Sequence, residues 1–303
     1  GAPFPGTLCS LSPLPLPGPR LMSDHPTEIS GVFAGRYTIE RELGRGGSAI
    51  VYLAHDEQRG HSVAIKLLKP ELLESVAADR FLKEIRLNQR LHHPQILPVL
   101  DSGTFGDQLY FVLPHMEGGT LRTRLDREKQ LPVTDAIAVT RSIAIALAHA
   151  HEQGLVHRDV KPENILFTSG QACLGDFGIA RALERSISDS TTSASLVRGT
   201  PSYMSPEQAS GESTYDGRSD VYSLGCVVYE MLAGIQPFVG PTSQSVIAQR
   251  LTHSPAPLRF YRPSLPAALE AVVARALTMA PADRYQTTME FADALEAAWR
   301  VAD

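Results

Sequence analysis

The apolar pattern of the chain changes character near Gly119, and this change limits the fold more than any single motif does. Before it, apolar residues fall in short β-type runs, Tyr37 to Leu43, Ile50 to His55, Ser62 to Leu68 and Gln108 to Leu113, parted by glycine-rich or polar turns. The first three are spaced as an antiparallel meander, and the last ends at Pro114. Between them, Phe81, Ile85 and Leu91 give Ser75 to Leu91 a helical spacing. After Gly119 the signals are helical: Thr134 reads as the N-cap of a helix over Asp135 to Gln153, and further helices are predicted near 217–233, 243–252, 266–278 and 287–300. A small β-rich part thus precedes a larger helical part, with no internal repeat.

Residues 1–30 carry Pro3, Pro5, Pro13, Pro15, Pro17, Pro19 and Pro26 with little aliphatic periodicity, which predicts a disordered or polyproline-like tail. The 303 residues are 43% hydrophobic and 20% charged, enough to fill a core in one large domain or two lobes. A net charge of −5 gives no bulk attraction to nucleic acid or to an anionic membrane. Cys9, Cys173 and Cys226 are too few for a disulfide framework or a zinc cluster; this fits a reducing, cytoplasmic setting, with the last two as small buried residues. The apolar stretches Ala136 to Ala148 and Val221 to Ala233 are interrupted by Arg141 and Glu230. Each falls short of the roughly 20 residues that cross a bilayer, so no membrane span is expected. The patch Leu11 to Leu16 is broken by prolines and follows no basic region, which argues against a signal peptide.

Three constellations carry chemistry. Leu43-Gly44-Arg45-Gly46-Gly47-Ser48-Ala49-Ile50-Val51 lies between two strands, where a glycine-rich hairpin lets main-chain N–H groups approach phosphate oxygens without interference from Cβ. The strand that follows it, rather than a helix, separates it from a dinucleotide fingerprint. One strand later, Val63-Ala64-Ile65-Lys66 sets a lysine among aliphatics, and a buried ammonium needs a charge partner; Glu84 on the following helix is the best placed. The most specific is His157-Arg158-Asp159-Val160-Lys161-Pro162-Glu163-Asn164, with Asp176-Phe177-Gly178 following twelve residues after Asn164. Phosphoryl transfer needs a carboxylate to orient the attacking hydroxyl and oxygen ligands to hold Mg²⁺ against the triphosphate, and Asp159, Asn164 and Asp176 form that set. Lys161 adds a cation for the charge that develops on the migrating group.

These blocks resemble the eukaryotic-like protein kinases over about residues 36–298, and the wording around His157 together with Met204-Ser205-Pro206-Glu207-Gln208 is similar to the bacterial serine/threonine branch. The resemblance implies an α+β, two-lobed fold: a small antiparallel-sheet N-lobe with one main helix over 36–114, a hinge over 114–119, and a mainly helical C-lobe over 120–298, with 299–303 as a tail. It implies a non-specific serine/threonine protein kinase that uses ATP and Mg²⁺ on protein hydroxyls. Lys66 would contact the α- and β-phosphates and pair with Glu84. Asp159 would be the catalytic base beside Lys161, with Asn164 and Asp176 on the metal. Leu43, Gly44, Arg45, Gly46, Gly47, Ser48, Val51, Ala64 and Leu166 would line the nucleotide site. Leu113 falls at the gatekeeper position, and adenine would bond to the Pro114 carbonyl and the Met116 amide. Proline departs from the glutamate common there, but it keeps its carbonyl.

The segment from Asp176 to Glu207 resembles an activation segment. Its hydroxyls make Thr192 the first candidate for regulatory phosphorylation, then Ser193, Ser195 and Thr191, and the phosphate would pair with Arg158. Lys161 and Thr200 of Gly199-Thr200-Pro201 match the serine/threonine pattern. Glu207 would pair with Arg284, and Asp220 would brace the catalytic loop. Asn88 stands four residues after Glu84, where active kinases usually place an apolar side chain. A homodimer that autophosphorylates is implied by analogy. Two other functions compete. A pseudokinase serving as a docking module conflicts with the intact set Lys66, Glu84, Asp159, Asn164 and Asp176; a small-molecule phosphotransferase would not be expected to carry the Thr200 segment, Ser205-Pro206-Glu207 and Arg284 together.

Overall fold

Strand alternation decides which side of the N-terminal sheet is free for chemistry. The computed structural model describes residues 31–46, 49–69, 91–106, 108–177, 201–212 and 215–301. Six strands, β1 (Gly31–Phe33), β2 (Tyr37–Arg45), β3 (Ala49–Asp56), β4 (His61–Leu68), β5 (Asp101–Phe105) and β6 (Gln108–Pro114), form one antiparallel sheet in the order β1-β2-β3-β4-β6-β5. Successive side chains point to opposite faces. Ile50, Tyr52 and Ala54 of β3 and Val63, Ile65 and Leu67 of β4 share a buried cluster with Phe33, Tyr37, Tyr110 and Val112. The opposite parity puts Val51, Ala64, Lys66 and Leu113 on the other face, with Val51 across from Lys66 and Ala64 across from Leu113. The two edges of the sheet curl together: the rings of Phe33 on β1 and Phe105 on β5 are 4.3 Å apart, and Tyr37 Oη donates to Asp101 Oδ2 at 2.8 Å.

The helical part contains α1 (Leu121–Glu128), α2 (Val133–Glu152), a hairpin of β7 (Ile165–Thr168) and β8 (Gln171–Leu174), then α3 (Pro206–Ala209), α4 (Gly217–Ala233), α5 (Ser243–Thr252), α6 (Leu258–Tyr261), α7 (Ala267–Ala276) and α8 (Thr288–Arg300). Helix α4 is buried on all sides from Ser219 to Ala233, so it is the post about which the others pack. It stops at Gly234, whose left-handed φ of 75° lets its N–H reach the Glu230 carbonyl at 2.8 Å. Helix α2 lies against α4 and α8, and Thr288 of α8 donates to the Ala144 carbonyl of α2. Helix α2 is also, by length and composition, the one described helix apolar enough to cross a bilayer, yet half of that window is buried in the core. Cys173 and Cys226 are free and buried as expected, and burial pushes the Cys226 thiol up to about 12.

The two-lobed α+β architecture is the one anticipated. Thr134 is not the N-cap of α2: the helix starts at Val133, and Pro132 takes the cap position, its carbonyl accepting the Ala136 N–H at 3.0 Å. Proline presets a φ compatible with a helix start and needs no N–H there, so no side-chain cap is required. Strands β1, β5, β7 and β8 and helices α1, α3 and α6 were not anticipated. The helix predicted over Ser75 to Leu91 lies, up to residue 90, outside the described residues.

Candidate active site

The loop between α2 and β7 is held from beneath by a single carboxylate. Asp220, in the first turn of α4 and fully buried, accepts the main-chain N–H of His157 at 2.8 Å and of Arg158 at 2.9 Å, and His151 Nε2 approaches the same carboxylate at 2.8 Å. Burial pushes the Asp220 carboxyl upward, but His151 and the other donors outweigh it and hold it below the usual aspartate value. This brace lets Arg158 adopt a left-handed φ of 73°, a conformation that costs a non-glycine residue about 1 kcal/mol or more. His157 is buried and has both ring nitrogens assigned by their partners. Nδ1 accepts the Asp159 N–H at 3.2 Å, so Nε2 carries the hydrogen and donates to the Gly175 carbonyl at 2.9 Å. Its ring stands edge-on to Phe177 at 4.5 Å. His157 thereby ties the Asp159 loop to the Asp176 segment.

On this frame the polar groups converge. Asp159 Oδ2 accepts from Lys161 Nζ at 2.7 Å and from Asn164 Nδ2 at 3.0 Å, and the same amide nitrogen donates to the Asp159 carbonyl at 2.8 Å. With its nitrogen so engaged, Asn164 has its amide oxygen left as the atom that could hold a cation. Across the cleft, Lys66 of β4 pairs with Asp176 Oδ2. Burial pushes the Asp176 carboxyl up, but Lys66 and then Lys161 hold it below the ordinary aspartate range. Asp176 also has a left-handed φ, 61°. Asp159, Lys161, Asn164, Lys66 and Asp176 are therefore brought together. Glu84, expected beside Lys66, lies outside the described residues, as do Asn88, Gly47, Ser48, Thr191, Thr192, Ser193, Ser195 and Thr200.

Beside the charged groups is an apolar slot. Ala64, Leu97 and Leu113 are buried together, with Val51, Val99, Met116 and Leu166 packed around them, so both lobes contribute walls. Leu43, Gly44 and Arg45 lie on β2, where Arg45 pairs with Glu42, and the Gly46 N–H closes toward the Ala49 carbonyl at 2.9 Å. A Cβ on Gly44 would meet no described atom within 4 Å, and its φ is not left-handed. Packing therefore does not demand a glycine here, which suits a backbone approached closely by a ligand. Below Pro114 the chain turns at Gly118, where a Cβ would stand 2.8 Å from both Cβ and the carbonyl oxygen of Phe167.

Supporting contacts surround the centre. Arg284 and Glu207 form a buried bidentate pair at 2.8 Å and 2.8 Å, with Ser219 Oγ on Glu207 Oε1 at 2.6 Å. A second network was not foreseen: Arg122 of α1 reaches Glu163 at 3.0 Å, Glu230 at 2.9 Å and the Tyr203 hydroxyl at 2.5 Å, and Tyr203 Oη also donates to Glu230. His151 was missed as well. Its position six residues before His157, at the end of an amphipathic helix, was the available signal.

The family model for the protein kinase domain matches residues 37–299. Serine/threonine-protein kinase PknB of Mycobacterium tuberculosis is 41% identical over 261 residues, covering 84% of this chain and 41% of that protein. A probable serine/threonine-protein kinase of Streptomyces coelicolor is 39% identical over 269 residues, covering 87% of this chain and 40% of that protein. The chain thus spans about two fifths of the length of these curated relatives. The crystal structure of the Mycobacterium tuberculosis PknI kinase domain superposes with a TM-score of 0.69 at 34% identity, covering 90% of this chain and all of that one.

Proposed function

Because the chain belongs to the protein kinase domain family, we propose that it transfers the γ-phosphate of ATP to serine and threonine hydroxyls of proteins. The observation that carries this reading is the convergence of Asp159, Lys161, Asn164, Lys66 and Asp176 around one cleft beside an apolar slot. The slot would take adenine, with Val51, Ala64, Leu113, Met116 and Leu166 lining it and the Pro114 carbonyl and Met116 amide as its hydrogen-bond partners. The hairpin Leu43 to Ser48 would cover the phosphates.

The donor set fits Mg²⁺, a hard cation that takes carboxylate and amide oxygens, and Asp176 with Asn164 would hold it. A bound Mg²⁺ would neutralise charge on the phosphate oxygens. Lys66 orients the phosphates, exchanging its contact with Asp176 for them, and Glu84 would steady the ammonium. Asp159 accepts the hydrogen bond of the incoming hydroxyl and takes its proton as the new O–P bond forms, while ADP leaves. Lys161, already bonded to Asp159, places a positive charge beside that path. Phosphorylation of Thr192, and after it Ser193, Ser195 or Thr191, would order the activation segment against Arg158. A second copy of the chain would carry out this transfer from its own ATP, in a transient homodimer.

Incubating the chain with γ-labelled ATP and Mg²⁺ and mapping the product tests the reading. The expected result is label on serine and threonine of the chain and of an added protein, lost in Asp159→Asn. ATP binding without transfer to any protein would favour a pseudokinase instead. Transfer to small molecules alone would refute protein specificity.

A further inference from the structure

Arg250, in the last turn of α5, is 1% exposed and is among the largest fully buried side chains, as Arg284 is. The two are neutralised differently. Arg284 has the Glu207 carboxylate, whereas Arg250 has none within ion-pair distance among the described residues. Its Nη1 donates to the Pro201 carbonyl and its Nη2 to the Ser202 carbonyl at 2.6 Å, while Nε has no hydrogen-bond partner among the described residues. The rings of Tyr222 and Phe238 flank the guanidinium at 5.7 Å and 5.4 Å. Burying a cation without a carboxylate is costly, and an apolar side chain of similar length would serve packing as well or better. What the guanidinium adds is a fixed position for two main-chain carbonyls.

Those carbonyls belong to a run that borders the reaction centre. Next to Ser202, the Tyr203 hydroxyl meets Arg122, which holds Glu163 four residues beyond Asp159. Further along, Gln208 Nε2 donates to the Arg158 carbonyl at 2.9 Å. The run 201–208 is therefore tied to the loop of Asp159 directly through Gln208 and by way of Arg122 through Tyr203, and to α5 through Arg250. A polypeptide that presents its hydroxyl to Asp159 has this run beside it.

We propose that Arg250 is a positioning residue for the protein substrate: by holding the Pro201 and Ser202 carbonyls it fixes the wall against which the acceptor chain rests, without touching ATP, metal or the reacting hydroxyl. This rests on the protein kinase reading above. The test uses the whole chain, casein as acceptor, and the variants Arg250→Met and Arg250→Lys. Loss of two charge-assisted bonds in Arg250→Met is expected to raise the casein KM about tenfold or more, with kcat less affected. The ATP KM and acceptor-free ATP hydrolysis are expected to stay within about twofold of wild type. Arg250→Lys recovers part of the casein KM, because an ammonium can still serve one carbonyl.

An unchanged casein KM in Arg250→Met overturns the proposal. So does a rise of the ATP KM in parallel with the casein KM, together with a lowered unfolding midpoint, which would mark Arg250 as a packing residue only. Should Arg250→Met not fold, Arg250→Lys decides: a raised casein KM with normal ATP hydrolysis supports the proposal, and wild-type kinetics reject it. A wild-type chain that hydrolyses ATP but phosphorylates no protein would instead refute the parent reading.

Discussion

Replacing Asp220 by asparagine should cost both stability and turnover, and its size can be worked from the three bonds the carboxylate accepts. Oδ2 takes the His157 N–H and His151 Nε2, and Oδ1 takes the Arg158 N–H. Asparagine keeps one oxygen. Turned to serve His157 and His151, it opposes its own NH₂ to the Arg158 N–H, donor against donor. Hydrogen bonds to a charged group contribute about 1.5–3 kcal/mol and neutral ones about 0.5–1.5 kcal/mol, so two weakened bonds and one lost bond amount to roughly 3–5 kcal/mol. Arg158, held at a left-handed φ, is where the loss is felt, and Asp159 is the next residue. Urea unfolding followed by circular dichroism should show the stability loss. Phosphorylation of casein should show kcat falling more than about tenfold, with a smaller change in ATP KM. The pH dependence has a definite sign: the folded-state pKa of Asp220 is depressed, so its contribution is full above the unfolded pKa and is lost as pH falls through the folded pKa. Asp220→Asn should therefore flatten the acid limb of the stability profile. A loss below about 1 kcal/mol with normal kcat would refute the brace.

Three further outcomes are expected. Lys66→Met should leave the far-ultraviolet spectrum unchanged and reduce phosphoryl transfer at least about a hundredfold, since on the proposed reading it removes the cation that would position phosphates rather than a core contact; near-normal turnover would reject that role. Arg284→Met leaves Glu207 buried without its partner and should lower the unfolding free energy by about 3–5 kcal/mol, measured by denaturant titration. Burial raises the Glu207 carboxyl, but Arg284 and Ser219 hold it below the usual glutamate value, so this pair stabilises above the unfolded pKa and the advantage disappears as pH falls through the folded pKa. Thr192→Ala should lower activity toward added protein, and full activity of the unphosphorylated wild-type chain would dispose of the proposed switch.

Residues close in sequence were legible because their chemistry is local. The run His157 to Asn164 places a carboxylate, a lysine and an amide within one loop, and the structure joins them by bonds between neighbours two to five positions apart. The strands β2, β3, β4 and β6 showed through their alternation. The short strand β5, Asp-Ser-Gly-Thr-Phe, has too few apolar residues to alternate, and α1 has only Leu121 and Leu125 buried. The pairing of Glu207 with Arg284 spans 77 positions and was read through family resemblance, not spacing. Arg122 and Arg250 left no such trace. The first meets carboxylates 41 and 108 positions away, and the second meets main-chain carbonyls, which every residue possesses.

Helix α4 explains why these distant contacts act together. A helix buried on every side can retain polar side chains only if each is partnered, and the partners on α4 belong to the loops around the cleft. Ser219 bonds Glu207, Asp220 bonds the His157–Arg158 backbone, and Glu230 bonds Arg122 and Tyr203. Tyr222 lies beneath both Arg250 and Arg284. The helix runs unbroken over 17 residues, so these loops are anchored to one element and not merely attached to the core. A change within α4 that preserves volume but removes a polar partner, such as Glu230→Gln at the Arg122 site, should then alter acceptor use while nucleotide binding persists, because the apolar slot takes no residue from α4.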